Sequence, residues 1–485
     1  MKNKSPDNSR EYLATAPLVP LMVKLAIPAM AAQLVNLLYS IVDRIFIGHI
    51  AAYGTDALTG LGICVPMTML ISSFAGLAAF GGAPLASMRL GAGERDEAQH
   101  VMRIAQTLMA AFAVALLVIG YAFMPQLLGL FGASATTLPY AQGYLSIYMI
   151  GTFFVMINVG LSMFLLAQGN SAQMLIATCA GAVVHIALDA LFIFGLGWGI
   201  EGAATSSIFS QGICAVMVVW YLRRPTSALR FEFRLARPEW PIVRRIFSIG
   251  SGRFFIMITE SLLVSVMNMT LQAYGGDLYV GALTILSSVL NLCMALMQGF
   301  TQGTQTIVSF CYGARHIERV RRAARYIVVG TFCMSVVLVG IAFLFPAPFV
   351  HLFSNDEVLC TLAIDQTPVY LFGMIFFGAQ LGLQSVFMGL GRGLCSLTVA
   401  FVRKIVLFIP LVLILPMFVG AEGVFLAEPI SDLCSIAFCS TLFACTIPKM
   451  LRRAEDEAAT SKNASDNAGA ESETSAGEAH PAKGA

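Results

Sequence analysis

NLLYSIVDRIFIGHI, residues 36–50, is an apolar run with a carboxylate and a guanidinium, Asp43 and Arg44, set inside it. A charge at membrane depth is costly. Asp43 therefore either reaches water at an interface or is there to hold something. Upstream, Gln33, Asn36, Ser40 and Asp43 are spaced 3, 4 and 3. On a helix they form one polar stripe that ends in the carboxylate. Arg44 follows directly in sequence, and neighbours at i and i+1 do not face each other on a helix. Simple pairing of the two charges is thus a weak explanation.

The surroundings make this a membrane question. The chain has 485 residues, 58% hydrophobic and 12% charged, with a mean hydropathy of +0.79. That is outside the range of soluble globular domains. About 20 mostly apolar residues cross the hydrocarbon as helix. Twelve such stretches occur, at 18–48, 57–84, 100–123, 139–167, 173–196, 203–222, 243–273, 279–308, 324–346, 362–390, 396–418 and 423–447. The expectation is an all-α integral membrane protein of twelve transmembrane helices. A polar N-terminal segment, 1–17, leads in without a small-residue cleavage site, so no removable signal peptide is expected. The net charge of +2 gives no reason to expect nucleic acid as a partner.

Lys and Arg set the orientation. With the N-terminus inside, the inner loops hold Arg89, Arg95, the run from Arg223 to Arg237, the cluster Arg315, Arg319, Arg321 and Arg322, and Arg392. Lys449, Arg452 and Arg453 follow the last span. Arg44 alone lies toward the other face. Both termini are expected to be cytoplasmic. The eleven cysteines are scattered, mostly within spans, and form no CxxC pair, which suits small packing residues.

The chain is written twice. At an offset of about 222 residues, SMRLGAGERDEA (87–98) lies over SFCYGARHIERV (309–320), with Ser87 on Ser309 and Gly91 on Gly313. LAQGN (166–170) lies over GLGRG (389–393), and GIEGAA (199–204) over GAEGVF (420–425). Six spans per half is an even number, so the halves insert in the same sense as parallel repeats. Transporters place substrate sites between such halves. The division is a first six-helix bundle at 18–222, a basic cytoplasmic linker at 223–242 and a second bundle at 243–447. The tail, 448–485, is rich in Ala, Ser, Glu and Gly and reads as disordered.

Depth brings the polar residues of the first half together. In VVHIALDALFIFG, His185 and Asp189 are one turn apart on one face. Asp43 lies 19 residues beyond Lys24, and Asp189 about 16 beyond the inner loop at 168–173. At about 1.5 Å per residue the two carboxylates reach similar depth. Thr205, Ser206 and Ser207 enter from the outer face and meet them there. Such a pocket suits a proton or a small cation. His titrates near neutral pH.

No matching trio falls in the second half, where the offset puts Pro410 and Val406 at these places. Its polar residues are instead Glu260 and Asn268, Gln298 and Gln302, Gln380 and Gln384, and Glu428 and Asp432. With Gln33 and Asn36 they are expected to line a central, hydrated, mildly acidic substrate cavity. The 24 Met and 34 Phe offer soft surface that re-packs around varied ligands. Pro28, Pro66 and Gly81–Gly82 permit bends and close helix packing.

Particular words now stand together. NLLYSIVDRIFIGHI with ALTGLGICVP, then LGAGERDEA, HIALDALFIFGLGWGIEGAATSS and GTQTIVSFCYGARHIERVRRA, resembles the multidrug and toxic-compound extrusion (MATE) family from about residue 15 to 447. QAYGGDLYVGALTILSSV and GVFLAEPISD resemble its bacterial MepA-like branch. The resemblance implies a V-shaped pair of six-helix bundles in the bacterial cytoplasmic (inner) membrane. It implies an antiporter that exports lipophilic cations for H⁺ or Na⁺; the sequence itself shows no sign of oligomerisation or of catalytic motifs, so a monomeric non-enzyme without a cofactor is expected. The resemblance places coupling-ion binding on Asp43, His185, Asp189 and Ser207, with Na⁺ possible at Asp43 and Asp189. The family pattern usually has Asn where this chain has His185, which favours H⁺. Some members use an acid in the seventh helix, where Glu260 lies.

Two other classes compete. A lipid-linked precursor flippase of the same superfamily needs a basic cavity for pyrophosphate, against the acidic one expected here. A membrane enzyme needs a metal cluster, nucleophile constellation or phosphate loop, and the spans show none.

Overall fold

The computed structural model describes residues 13–48, 50, 54–131, 133–134, 136–351 and 356–477. Among the described residues the fold is helical, with no strand. Apolar runs of this length satisfy their backbone polar groups only as helices inside a bilayer. In the first half the spans are α1 (Leu18–Gly48), α2 (Gly54–Gly91), α3 (Arg95–Ala122), α4 (Leu138–Ala167), α5 (Ser171–Gly195) and α6 (Gly199–Leu222). In the second they are α7 (Trp240–Gly276), α8 (Leu278–Gly313), α9 (Ile317–Leu344), α10 (Glu357–Gly389), α11 (Gly393–Val419) and α12 (Glu422–Gly477). Eleven are single apolar helices, and α4 is a pair bent by 57° at Gly151, which completes the expected twelve.

Local chemistry sets the breaks. Gly276 separates α7 from α8 at φ 66°, a left-handed conformation that glycine adopts without strain. Asp356 caps α10, accepting hydrogen bonds from the backbone N–H groups of Val358 (2.9 Å) and Leu359 (3.2 Å). Both fifth helices contain a π-helical stretch, Ala190–Gly195 in α5 and Val402–Phe408 in α11. Such bulges shift the side chains beyond them around the helix and recur at functional sites.

The halves meet most tightly at the end of the bundle where the short loops 92–94 and 314–316 lie, called here the basic end. A Cβ on Gly91 would stand 2.0 Å from the Phe310 carbonyl oxygen, and one on Gly313 would stand 1.8 Å from that of Met88. Further in, Gly81 faces the Ile246 carbonyl at 2.0 Å and Gly303 that of Leu25 at 2.6 Å. Each glycine and its counterpart are 222 residues apart. Small residues let helix backbones approach this closely in membranes. Arg319 at the start of α9 adds a cross-half latch, donating to the Ala16 (2.6 Å) and Leu13 (3.1 Å) carbonyls.

The linker folds onto the first half. Arg95 on α3 donates to the Ala228 carbonyl at 3.0 Å, and the Gln168 side-chain Oε1 accepts from the Leu229 N–H at 3.0 Å and the Ser227 hydroxyl at 2.8 Å. His100 lies 2.9 Å from Glu239, and Thr107 donates to the Ala236 carbonyl at 2.9 Å.

The tail differs from the disordered segment expected for 448–485. Its described part continues α12 as helix to Gly477. Glu455 and Glu457 pair with Arg321 and Arg315, both at 2.9 Å. Low hydrophobicity predicts that a segment buries little, but a helix already nucleated in the membrane extends through Ala and Glu at little further cost.

Candidate functional site

Three helices bring the first-half residues together. Asp43 comes from α1, His185 and Asp189 from α5, and Ser206 and Ser207 from α6. One ligand atom each from Asp43, His185 and Asp189 lies within 4.8 Å of the others. His185 Nε2 is 3.1 Å from the Ser207 hydroxyl, and Nδ1 is 2.7 Å from Asp189 Oδ2. The second contact is close but off-line for a hydrogen bond. The Ser206 hydroxyl donates to the other Asp189 oxygen. Asp189 is fully buried, and the π-helical stretch begins at the next residue. Asp43 Oδ1 is buried without a hydrogen-bond partner, and no ion pair joins Asp43 to Arg44 among the described residues. The cluster therefore has a free acceptor, two acids and an imidazole in contact. At this spacing the acids repel, and a proton or cation between them relieves the repulsion. Its oxygens also suit Na⁺, although the imidazole suits it less.

Beside the cluster lies a cavity of about 360 Å³. His185 is the member of the cluster that lines it, with its ring 5.2 Å from that of Tyr39. Gln33, Asn36, Gln298 and Gln302 line it as expected, and Gln33 donates to Gln302 across the two halves at 2.9 Å. Asn158 and Gln211, which sequence reasoning passed over, also line it and share a hydrogen bond of 2.7 Å. Asn158 is a lone amide in an apolar run, and Gln211 stands one helical turn beyond Ser207. Both positions were visible signals.

The remaining candidates lie elsewhere. Glu260, Gln380 and Gln384 line a narrow space of about 50 Å³ within the second half. Asn268 lies outside the lining of both spaces.

The expected acidic cavity is not what forms. The second half holds a buried charge network with three cations. Arg403 on α11 lies 2.6 Å from Asp432 and 2.7 Å from Glu428, both on α12. Lys404 lies 3.3 Å from Glu260 on α7. Arg253 on α7 lines both the narrow space and the central cavity. The three acids are largely matched by Arg403 and Lys404, so they do not give the central cavity a negative lining. The second half thus has its own fifth- and sixth-helix cluster, with cations on the fifth helix where the first half has an acid and a histidine. The signal was Arg403–Lys404 inside the apolar run 396–418.

Comparison with known proteins now settles the family. The MatE family model matches residues 28–191 and 254–414, one stretch in each half and well over half of the chain. This chain belongs to the MatE family. Among curated proteins, the multidrug export protein MepA of Staphylococcus haemolyticus (strain JCSC1435) is 23% identical over 423 residues, covering 86% of this chain and 91% of that protein. MepA of Staphylococcus aureus (strain NCTC 8325 / PS 47) is 21% identical over 432 residues, covering 89% and 95%. Among solved structures, a multidrug resistance MATE family transporter of the MOP superfamily in an outward-facing conformation aligns with a TM-score of 0.86 at 20% identity, over 93% of this chain and all of that one. A MATE in the straight conformation aligns equally well, at 21% identity over the same shares. The MatE chain is thus a multi-pass membrane transporter of that family, with the helical fold expected of it.

Proposed function

We propose that this MatE chain exports lipophilic cationic compounds from a bacterial cell in antiport with protons. The observation that carries this reading is the position of His185, which lines the central cavity while touching Asp189 and Ser207. Occupation of the Asp43–His185–Asp189 cluster is felt at once on the cavity wall. The apolar surface and amides of the cavity suit the body of a lipophilic ligand, and the ring of Tyr39 suits its positive charge. Proton entry changes the charge on His185 or its neighbours and weakens the hold on the substrate. A ligand shifts such an equilibrium only through its different affinity for the two states. In this reading the basic end and both termini face the cytoplasm, and the close glycine contacts seal that side. The protein sits in the cytoplasmic membrane, works as a monomer among lipids and needs no cofactor beyond the coupling ion. Na⁺ on the carboxylates of Asp43 and Asp189 is the alternative driver.

A lipid-linked precursor flippase remains the second reading because the cavity contains Arg253. It stands behind the first because Arg403 and Lys404 are already paired with acids, leaving one guanidinium for a pyrophosphate.

The test is efflux of a fluorescent lipophilic cation from liposomes, with a pH gradient and a Na⁺ gradient imposed separately. Drive by pH alone supports the proton reading. Drive by Na⁺ alone keeps the antiporter and discards the histidine argument. No transport under either gradient overturns the export reading and moves attention to lipid-linked substrates.

A further inference from the structure

Arg253 is a cation that the coupling chemistry does not use. It stands on α7 where the central cavity meets the narrow space of the second half. One Nη donates to the Gln298 side-chain Oε1 at 2.5 Å, and the guanidinium lies 5.3 Å from the centre of the Phe80 ring. Its Nε is buried without a hydrogen-bond partner. Among the described residues no carboxylate lies within ion-pair distance of it, while Arg403 and Lys404 hold the three nearby acids. Apart from His185, the lining of the central cavity carries this single formal charge.

An unpaired guanidinium inside a membrane protein is costly, and an anion placed against it removes that cost. The guanidinium edge is a planar fork of N–H donors that fits a carboxylate better than it fits any neutral group. Here the other Nη and the second N–H of the Nη bonded to Gln298 remain as the end-on pair of donors for that fork. The amides Gln33, Asn36, Asn158 and Gln211 on the first-half wall offer oxygens to an amine or ammonium at the other end of a ligand.

We propose that Arg253 is a substrate-binding residue that selects compounds carrying a carboxylate-type anionic group, so that the preferred cargo is amphoteric rather than simply cationic. This inference rests on the export reading and narrows its substrate class.

The experiment compares two dyes differing in one group: a rhodamine with a free carboxylate and its ethyl ester. Binding is followed by fluorescence anisotropy on the detergent-purified protein, and efflux is followed in liposomes. Wild type is expected to bind the free acid more tightly than the ester. Arg253→Gln is expected to weaken acid binding roughly tenfold or more, the range of a charge-assisted hydrogen bond, with ester binding nearly unchanged. Arg253→Lys, which keeps the charge, is expected to retain part of the preference. Ester transport by wild type without any preference for the acid overturns the inference and leaves the export reading standing. So does an Arg253→Gln protein that affects both dyes equally. Wild type that moves neither dye removes the export reading and this inference with it. Where Arg253→Gln does not fold, a wild type without the preference still overturns the inference, and a preference left whole by Arg253→Lys counts against Arg253 as its source.

Discussion

Gly91 and Gly313 pack against repeat-related partners: the Cα of Gly91 abuts the Phe310 carbonyl, and that of Gly313 the Met88 carbonyl. A contact made twice across a pseudo-twofold leaves no room for a side chain at either place. Gly313→Val is expected to force the basic ends of α2 and α8 apart, at a cost of about 1–3 kcal/mol for overpacking. Spin-label distances between the loops at 92–94 and 314–316 should lengthen by several ångströms (about one side-chain diameter). An unchanged distance distribution would sink the idea that these glycines seal the basic end.

Asp43 supplies the free acceptor of the Asp43–His185–Asp189 cluster. Asp43→Asn is expected to lower gradient-driven efflux at least about tenfold, because the cluster can no longer distinguish the two driving conditions. Substrate affinity at equilibrium should shift toward that of the proton-loaded protein, because the amide carries no charge at that place. Normal efflux by this variant under a pH or Na⁺ gradient counts against the mechanism.

His185 joins the cluster to the cavity wall. His185→Asn is expected to flatten the pH dependence of substrate binding, because the amide cannot take up a proton. It should also raise any response to Na⁺, because an amide oxygen coordinates that ion and an imidazole does so poorly. A pH profile identical to wild type would place the titrating group elsewhere.

Arg403 sits between two buried acids, at 2.6 Å and 2.7 Å. Its side chain is 10% exposed, and those of Glu428 and Asp432 are 8% and 3% exposed. Arg403→Met leaves two buried carboxylates facing each other and is expected to destabilise the protein by about 3–5 kcal/mol. Adding Glu428→Gln and Asp432→Asn should restore most of the loss. A thermal melt in detergent reads both steps, and a triple variant no more stable than the single one would refute the network.

The twelve spans were legible because the bilayer demands long apolar helices, and the repeat because its loop words were kept at one offset. The first-half cluster was legible because Asp43, His185 and Asp189 break apolar runs at matched depth. The second-half network was not, for a geometric reason. The offset pairs Pro410 and Val406 with Asp189 and His185, whereas the charges sit at Arg403 and Lys404, inside a π-helical stretch. A π-bulge disturbs the helical phase, so a fixed offset compares positions that no longer face the same way. Arg253 was passed over because attention to acids in the second half left its basic residues uncounted. The cavity was therefore expected to be acidic when its one permanent charge is positive.

The linker bears on how such a molecule moves. Its residues from Ser227 to Glu239 are fastened along α3 and to Gln168. What looks in sequence like a slack tether is in effect an arm of the first half, and it hands the chain to α7 at Trp240. Almost no free rope separates the two bodies there. Glu239, tied to His100, and Trp240, the first residue of α7, are consecutive, so the joint between the halves has no slack at that point.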